Sequence, residues 1–370
     1  MSATTSARVS GASEKRLRRG ATARKVVSAA AAYQSGGLFV ALVLLVIFFA
    51  TSSQQFLTSG NVNVILLQAA PLGLVAIPAG MLLLSGYVDL SVGSVSWLAA
   101  ACFGLLAADQ GWALVPAMLG ALAVGAGWGL LNGYLTAFLG ASSIVVTLGG
   151  LAGARGLGDA LTDDVTRTGF GETFSNLGNG HVLGIPIPAA IFIVVFLVSV
   201  YLWYGTPLGR HLAATGADRG AARAVGVSIR ALPLWAYVAS GTMAALSGLL
   251  ITAQLDAASP ELGVGFELQV LTAVLLGGVA FSGGRGSLWG VLFGVLFIAI
   301  LNNGLILLNV GPYFVNVAVG AVLFFVAGID VAYRRLERLP AAPTSELDGD
   351  EAEAAEKKPG PDLERAQHGG

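Results

Sequence analysis

The sequence predicts an all-α integral membrane protein: about ten transmembrane helices, an inverted-topology repeat, and both termini in the cytoplasm. Composition comes first. Hydrophobic residues make up 55% of the 370 positions, charged residues only 11%, and the mean hydropathy is +0.77, outside the range of soluble domains. Apolar stretches of about 17 to 22 residues then recur between polar breaks, each long enough to cross a hydrocarbon core of ~30 Å. Charge is concentrated at the ends. Residues 1–35 carry seven Lys/Arg against one acid and residues 331–370 six against nine, whereas residues 36–330 hold seven basic and eleven acidic side chains. The net charge of −1 therefore says nothing about partners.

Residues 1–35 are expected to be a basic cytoplasmic tail. They are too long for the basic region of a secretory leader, so the first apolar run is expected to be a retained span. The ten spans expected are 36–53, 63–84, 92–108, 112–132, 143–158, 186–204, 232–252, 268–283, 287–307 and 313–330. Together they form a membrane domain over residues 36–333, followed by a cytoplasmic tail, 334–370, rich in Pro, Ala, Glu and Asp and expected to be disordered.

Orientation follows from Lys and Arg, which are retained on the cytoplasmic side. With the basic tail inside, ten spans place Arg210, Arg219, Arg223, Arg230, Arg285, Arg334, Arg335 and Arg338 inside and only Arg167 outside. Asp109, Asp163, Asp164, Glu172, Asp256 and Glu261 then fall outside. Nine or eleven spans break this pattern.

Two segments echo each other. "DLSVG" (Asp89–Gly93) matches "ELGVG" (Glu261–Gly265) at an offset of 172, and the stretch from Asn132 matches that from Asn303 at 171. Five spans separate the copies, so each faces the opposite way across the membrane, the arrangement of many transport proteins.

The loop 205–231 is the longest on the inner side. Within "GRHLAATGADRGAARAVGVSIRA" (209–231), Ala214, Ala217, Ala221 and Val225 fall on one helical face and Arg219 and Arg223 on another. Gly226 stands where a helix would end and Pro233 opens the next span. A short helix across the inner mouth is expected, either a docking surface of small residues or an ordinary positive-inside loop.

"GADRGAARAVGVSI" (Gly216–Ile229) resembles the coupling-loop motif of the membrane subunits of bacterial ABC importers for simple sugars, the ribose/xylose/galactose permease family. Supporting matches are "LLLSGYVDLSVGSV" from Leu82, "IVVTLGGLAGARGL" from Ile144, "VLLGGVAFSGGRGSLWG" from Val274 and "LNNGL" from Leu301. They extend over about residues 60–330 in the family's order.

The resemblance implies that Gly216, Asp218, Ala221, Ala222 and Gly226, with Arg219 and Arg223 on the same loop, dock on a cytoplasmic ATPase subunit. It also implies an extracytoplasmic sugar-binding protein, a second permease subunit, most simply a homodimer, and a place in the plasma membrane. Gly220 departs from the motif, which often carries an acid there.

This chain's own chemistry is sparse. All four lysines lie in the tails and none follows GxxxxG, so no cofactor is expected: ATP and Mg belong to the partner subunit. Cys102 cannot form an internal disulfide, and His181, His211 and His368 are scattered, indicating no metal site. Nothing indicates catalysis or nucleic-acid binding.

Within the membrane, Arg155 must avoid lipid. It either lines or closes a pathway, with Asp159 one turn on, or serves a structural or interfacial role. Asp89, flanked by Ser91 and Gly93, suits an irregular backbone and is expected to cap the following helix more readily than to touch substrate. Asn132, Asn302 and Asn303 suit sugar hydroxyls or, more commonly, helix-to-helix hydrogen bonds. "SGGRG" (Ser282–Gly286) is expected to be a tight inner turn.

The function expected is the translocation subunit of a monosaccharide importer. The alternatives are a permease for nucleosides, a signalling sugar derivative or branched-chain amino acids. From another class comes a self-contained secondary transporter, which would need a carboxylate at mid-span, whereas the acids are expected near span edges.

Overall fold

The computed structural model describes residues 36–337. The expectations for residues 1–35 and 338–370 lie outside the described residues. The helices are α1 (Gly36–Ser52), α2 (Ser59–Leu84), α3 (Val92–Gly104), α4 (Leu114–Gly133), α5 (Ser143–Thr162), α6 (Glu172–Asn179) and α7 (Ile187–Val200). They continue as α8 (Pro207–Ala217), α9 (Arg219–Ala224), α10 (Ala231–Leu255), α11 (Phe266–Leu276), α12 (Leu288–Leu307) and α13 (Pro312–Glu337). A five-residue π turn prolongs each of α3, α4 and α7.

Each of the ten apolar stretches is helical, but they are not ten equal spans. Seven helices, α2 to α5, α7, α10 and α12 with their π turns, are long and apolar enough to cross a membrane; α1, α11 and the apolar part of α13 are shorter. The α11 stretch is cut because Gly277 ends the helix and Gly278, Gly283, Gly284 and Gly286 take positive φ in the turn that follows.

One compact unit ends at Val326. Its core is built around α2 and α10. Glycines let the backbones touch: Gly125 and Gly129 of α4 lie against the carbonyls of Gly241 and Tyr237 on α10, and Gly248 of α10 lies against that of Ser96 on α3. In the other half, Gly294 and Gly290 of α12 meet Ala273 and Gly277 at the end of α11. Small residues take this role because lipid tails offer helices no hydrophobic drive to associate, leaving close packing to do it.

The packing repeats with the sequence. α10 lies against α4 and α3, and α2, its counterpart 172 residues earlier, lies against α12 and α11.

The loops gather in two groups. At one end meet the α2–α3 break, the α8–α9 segment and the turn after α11. At the other, Arg167 pairs with Asp109 at 3.1 Å, Arg167–Thr168 (β1) pairs antiparallel with Ala257–Ala258 (β4), and Phe170 N donates to Asp256 Oδ1 at 3.1 Å. There α6 buries Phe174 against Phe103, and a hairpin pairs His181–Val182 (β2) with Ile185–Pro186 (β3).

Candidate functional site

The inner loop begins with Thr206, whose hydroxyl accepts from Leu208 N at 3.2 Å, and Pro207, preset for a first helical turn. The expected single helical face through Ala214, Ala217, Ala221 and Val225 does not form. Asp218 is extended (φ −158°, ψ 107°), and its Oδ1 accepts from Gly220 N at 2.7 Å and Ala221 N at 3.0 Å. An aspartate that can bond the next amides starts a new helix more readily than it continues the old one. The loop is therefore two helices, α8 and α9.

Gly226 closes α9 as the sequence implied. Its φ is +82°, its N donates to Arg223 O at 3.0 Å, and Val227 N donates to Ala222 O at 3.0 Å. These two bonds form a Schellman motif, with Ala222 and Val227 buried as its apolar contact. Ala222 is only 3% exposed, so it anchors the loop from within. The outward surface of α9 is Gly220, Ala221, Arg223 and Ala224, with Val225 beyond.

Three chain segments meet beneath it with almost no side chain between them. Gly216 rests on Leu84 O, Gly284 N donates to Leu84 O at 2.8 Å, and a Cβ on Gly283 would stand 2.9 Å from Gly86. Arg219 is committed here: its guanidinium lies 4.4 Å from the centre of the Tyr87 ring and its Nη2 donates to Gly86 O at 3.4 Å. "SGGRG" is the tight turn expected, with Ala280 N donating to Arg285 O at 2.9 Å.

From this junction the chain enters the protein. Asp89 is 7% exposed; its Oδ1 accepts from Ser91 N at 3.0 Å and Ser91 Oγ at 2.6 Å, and its Oδ2 from Ser240 Oγ at 2.8 Å. Asn132 Nδ2 donates to Ser91 Oγ at 2.9 Å, and Tyr237 OH to Val88 O at 2.9 Å. Asp89 thus does not cap α3 as expected, because its carboxylate stops at Ser91, one residue before the helix. It sits deep. Ser240 lies nine residues into α10 from Ala231, about 14 Å along a helix rising ~1.5 Å per residue.

Gly93 meets Gly263 and the Glu267 carboxylate, since a side chain at Gly93 would strike both. The breaks "DLSVG" and "ELGVG" therefore touch. A crevice between α2 and α11 exposes Asp89 and Glu267 to the same space. Arg155 Nη1 donates to Pro260 O at 2.7 Å and Leu262 O at 3.0 Å, and Trp97 Nε1 donates to Asp159 Oδ1 at 2.7 Å. Asp159 is thus held by Trp97, and Arg155 by the α10–α11 loop. In that loop the Ser259 hydroxyl bonds the exposed Glu261 and holds its carboxyl below the usual range.

Asn303 exchanges two hydrogen bonds with Asn61, at 2.9 and 2.8 Å, a helix-to-helix role, while Asn302 Oδ1 is buried without a partner. The structure brings together Asp89, Ser91, Gly93 and Asn132, leaves Asn302 and Asn303 apart on α12, and adds Tyr237, Ser240, Trp97 and Glu267, which the sequence reading passed over. Glu267 was detectable as a lone acid in the apolar run after "ELGVG". With Asp89 and Glu267 set deep, the expectation that acids lie near span edges fails.

An apolar helical bundle with backbone breaks meeting inside it and an external two-helix loop defines a multi-pass membrane permease. The chain belongs to the family described as branched-chain amino acid transport system / permease component, whose model matches residues 61–327. It is 38% identical to the ribose import permease of Bacillus subtilis strain 168, over 74% of this chain and 86% of that one. It is 32% identical to the ribose import permease of Haemophilus influenzae, over 72% and 84%. To the D-allose transport system permease of Escherichia coli K12 it is 31% identical, over 75% and 85%.

Proposed function

We propose that this chain is the translocation subunit of an ATP-binding-cassette importer for a monosaccharide of the ribose or allose kind. The observation that carries the reading is the junction of Gly216, Gly284 and Leu84, together with relatives named for ribose and allose import. A force on α9 reaches the α2–α3 break through backbone contacts and, through Asp89 and Ser91, the interior of the bundle. The outward surface around Ala221 and Arg223 is the docking face for a separate ATPase subunit, which binds ATP and Mg. An extracytoplasmic binding protein delivers the sugar, and a second copy of the chain completes the pathway.

In this reading the two halves are inverted repeats, with α1, α11 and α13 completing ten crossings and the α9 side facing the cytoplasm. Reconstitution with and without the ATPase tests it: D-ribose or D-allose uptake should appear only when the ATPase, ATP and binding protein are all present. Uptake by the lone chain rejects the proposal and favours a self-contained transporter.

A further inference from the structure

Two charged groups set within the bundle, Arg155 and Glu267, take no part in the coupling junction. α5, which carries Arg155, is the least enclosed of the seven long helices, and Ala152, Gly153, Gly156 and Leu157 lie exposed on either side of it in sequence. With Arg155 in the second half of α5 and Asp159 one turn on towards its end, the helix does not turn that side to lipid, because a charge deep in the membrane costs on the order of 3 kcal/mol even on insertion scales. That side therefore meets protein or water.

Glu267 sits in the first turn of α11. The eleven residues of α11 rise about 16 Å, from Glu267 to the turn that packs on Gly86, so the carboxylate stands about halfway across a ~30 Å core. Gly93 leaves it room. Arg155 is fixed in place by two carbonyls through Nη1 alone, leaving Nε and Nη2 as donors. Arg155 and Glu267 meet the same stretch of the α10–α11 loop, Arg155 at the Leu262 carbonyl and the Glu267 carboxylate beside the Gly263 carbonyl against Gly93. Val264, three residues before Glu267, and Leu268, the residue after it, are exposed, 70% and 52%.

We infer that Arg155 and Glu267 form a mid-membrane station for sugar hydroxyls, the guanidinium donating and the carboxylate accepting. Val264 and Leu268 face the C–H side of the ring. Neighbouring hydroxyls of a sugar each donate and accept, so one pair of fixed groups of opposite sense can hold a diol briefly and release it in either direction. The inference rests on the proposed importer function and adds the residues that touch the cargo.

The test uses the full chain in proteoliposomes with its ATPase and binding protein, D-ribose and D-allose as probes, and both uptake and ATP hydrolysis as readouts. Glu267→Gln and Arg155→Lys should each lower uptake at least fivefold while hydrolysis stays within twofold, so that sugar moved per ATP falls. Glu267→Asp should recover part of the loss. L-leucine should neither be taken up nor compete.

Unchanged sugar per ATP in both variants, or uptake and hydrolysis falling together, overturns the station while leaving the importer intact. Leucine uptake lost in the same variants assigns the pair to a zwitterion and also overturns it. If the unaltered chain moves neither sugar, the function fails and the station with it.

Discussion

Asp89 shows what a single carboxylate organises in this bundle. Three donors converge on it, Ser91 N, Ser91 Oγ and Ser240 Oγ, so that α10 and the α2–α3 break are tied at a depth where water is scarce. Removing the acceptor strands buried donors, each costing roughly 1–3 kcal/mol. Asp89→Ala should therefore lower the thermal unfolding midpoint of the detergent-solubilised chain distinctly, with Ser240→Ala lowering it less; equal midpoints for all three proteins would show that the network carries no stability. At this scale the sequence was partly legible. The company of Gly86, Ser91 and Gly93 marked Asp89 as sitting in irregular backbone, but nothing in the order of residues announced Ser240, 151 positions away. Arg155 was visible as an arginine in an apolar span; its carbonyl partners were not, since backbone acceptors leave no trace in side-chain pattern.

Helix α9 is short, and its ends decide whether it exists. Asp218 supplies the start and Gly226 the stop. Gly226→Ala forces a side chain into positive φ at about 1 kcal/mol, and should reduce ATPase association modestly in a pull-down from detergent. Arg223→Glu reverses a charge on the exposed face and should reduce association by at least tenfold while membrane insertion, read by fractionation, is untouched. Undiminished association of the Arg223 variant would remove α9 as the docking face. The glycine stop was legible from position alone, whereas the division into two helices was missed because the alanine period continues across Asp218. Capping geometry outweighed periodicity there.

Over the whole molecule, charge asymmetry carried most of the information. Loops placed on one side by their arginines meet at one end of the bundle, and those placed on the other by their acids meet at the other. Cysteines substituted at Ala221 and at Leu183, a hairpin position that is 97% exposed, should react with an impermeant maleimide on opposite faces of oriented vesicles, Leu183→Cys on the outside. Labelling of both from one face would refute the orientation. The sequence likeness of "DLSVG" and "ELGVG" singled out two breaks that the structure places in contact, Gly93 against Gly263. Span length was less legible: Gly277 and the turn behind it lie in a run that reads as continuously apolar, so α11 was drawn longer than it is.

Because Gly216, Gly284 and Gly283 press peptide against peptide, the machinery has no cushion at its input. A larger residue at any of these sites wedges the surfaces apart, and a displacement of α8 by a fraction of an ångström is handed on undamped, as by a gear train cut without backlash.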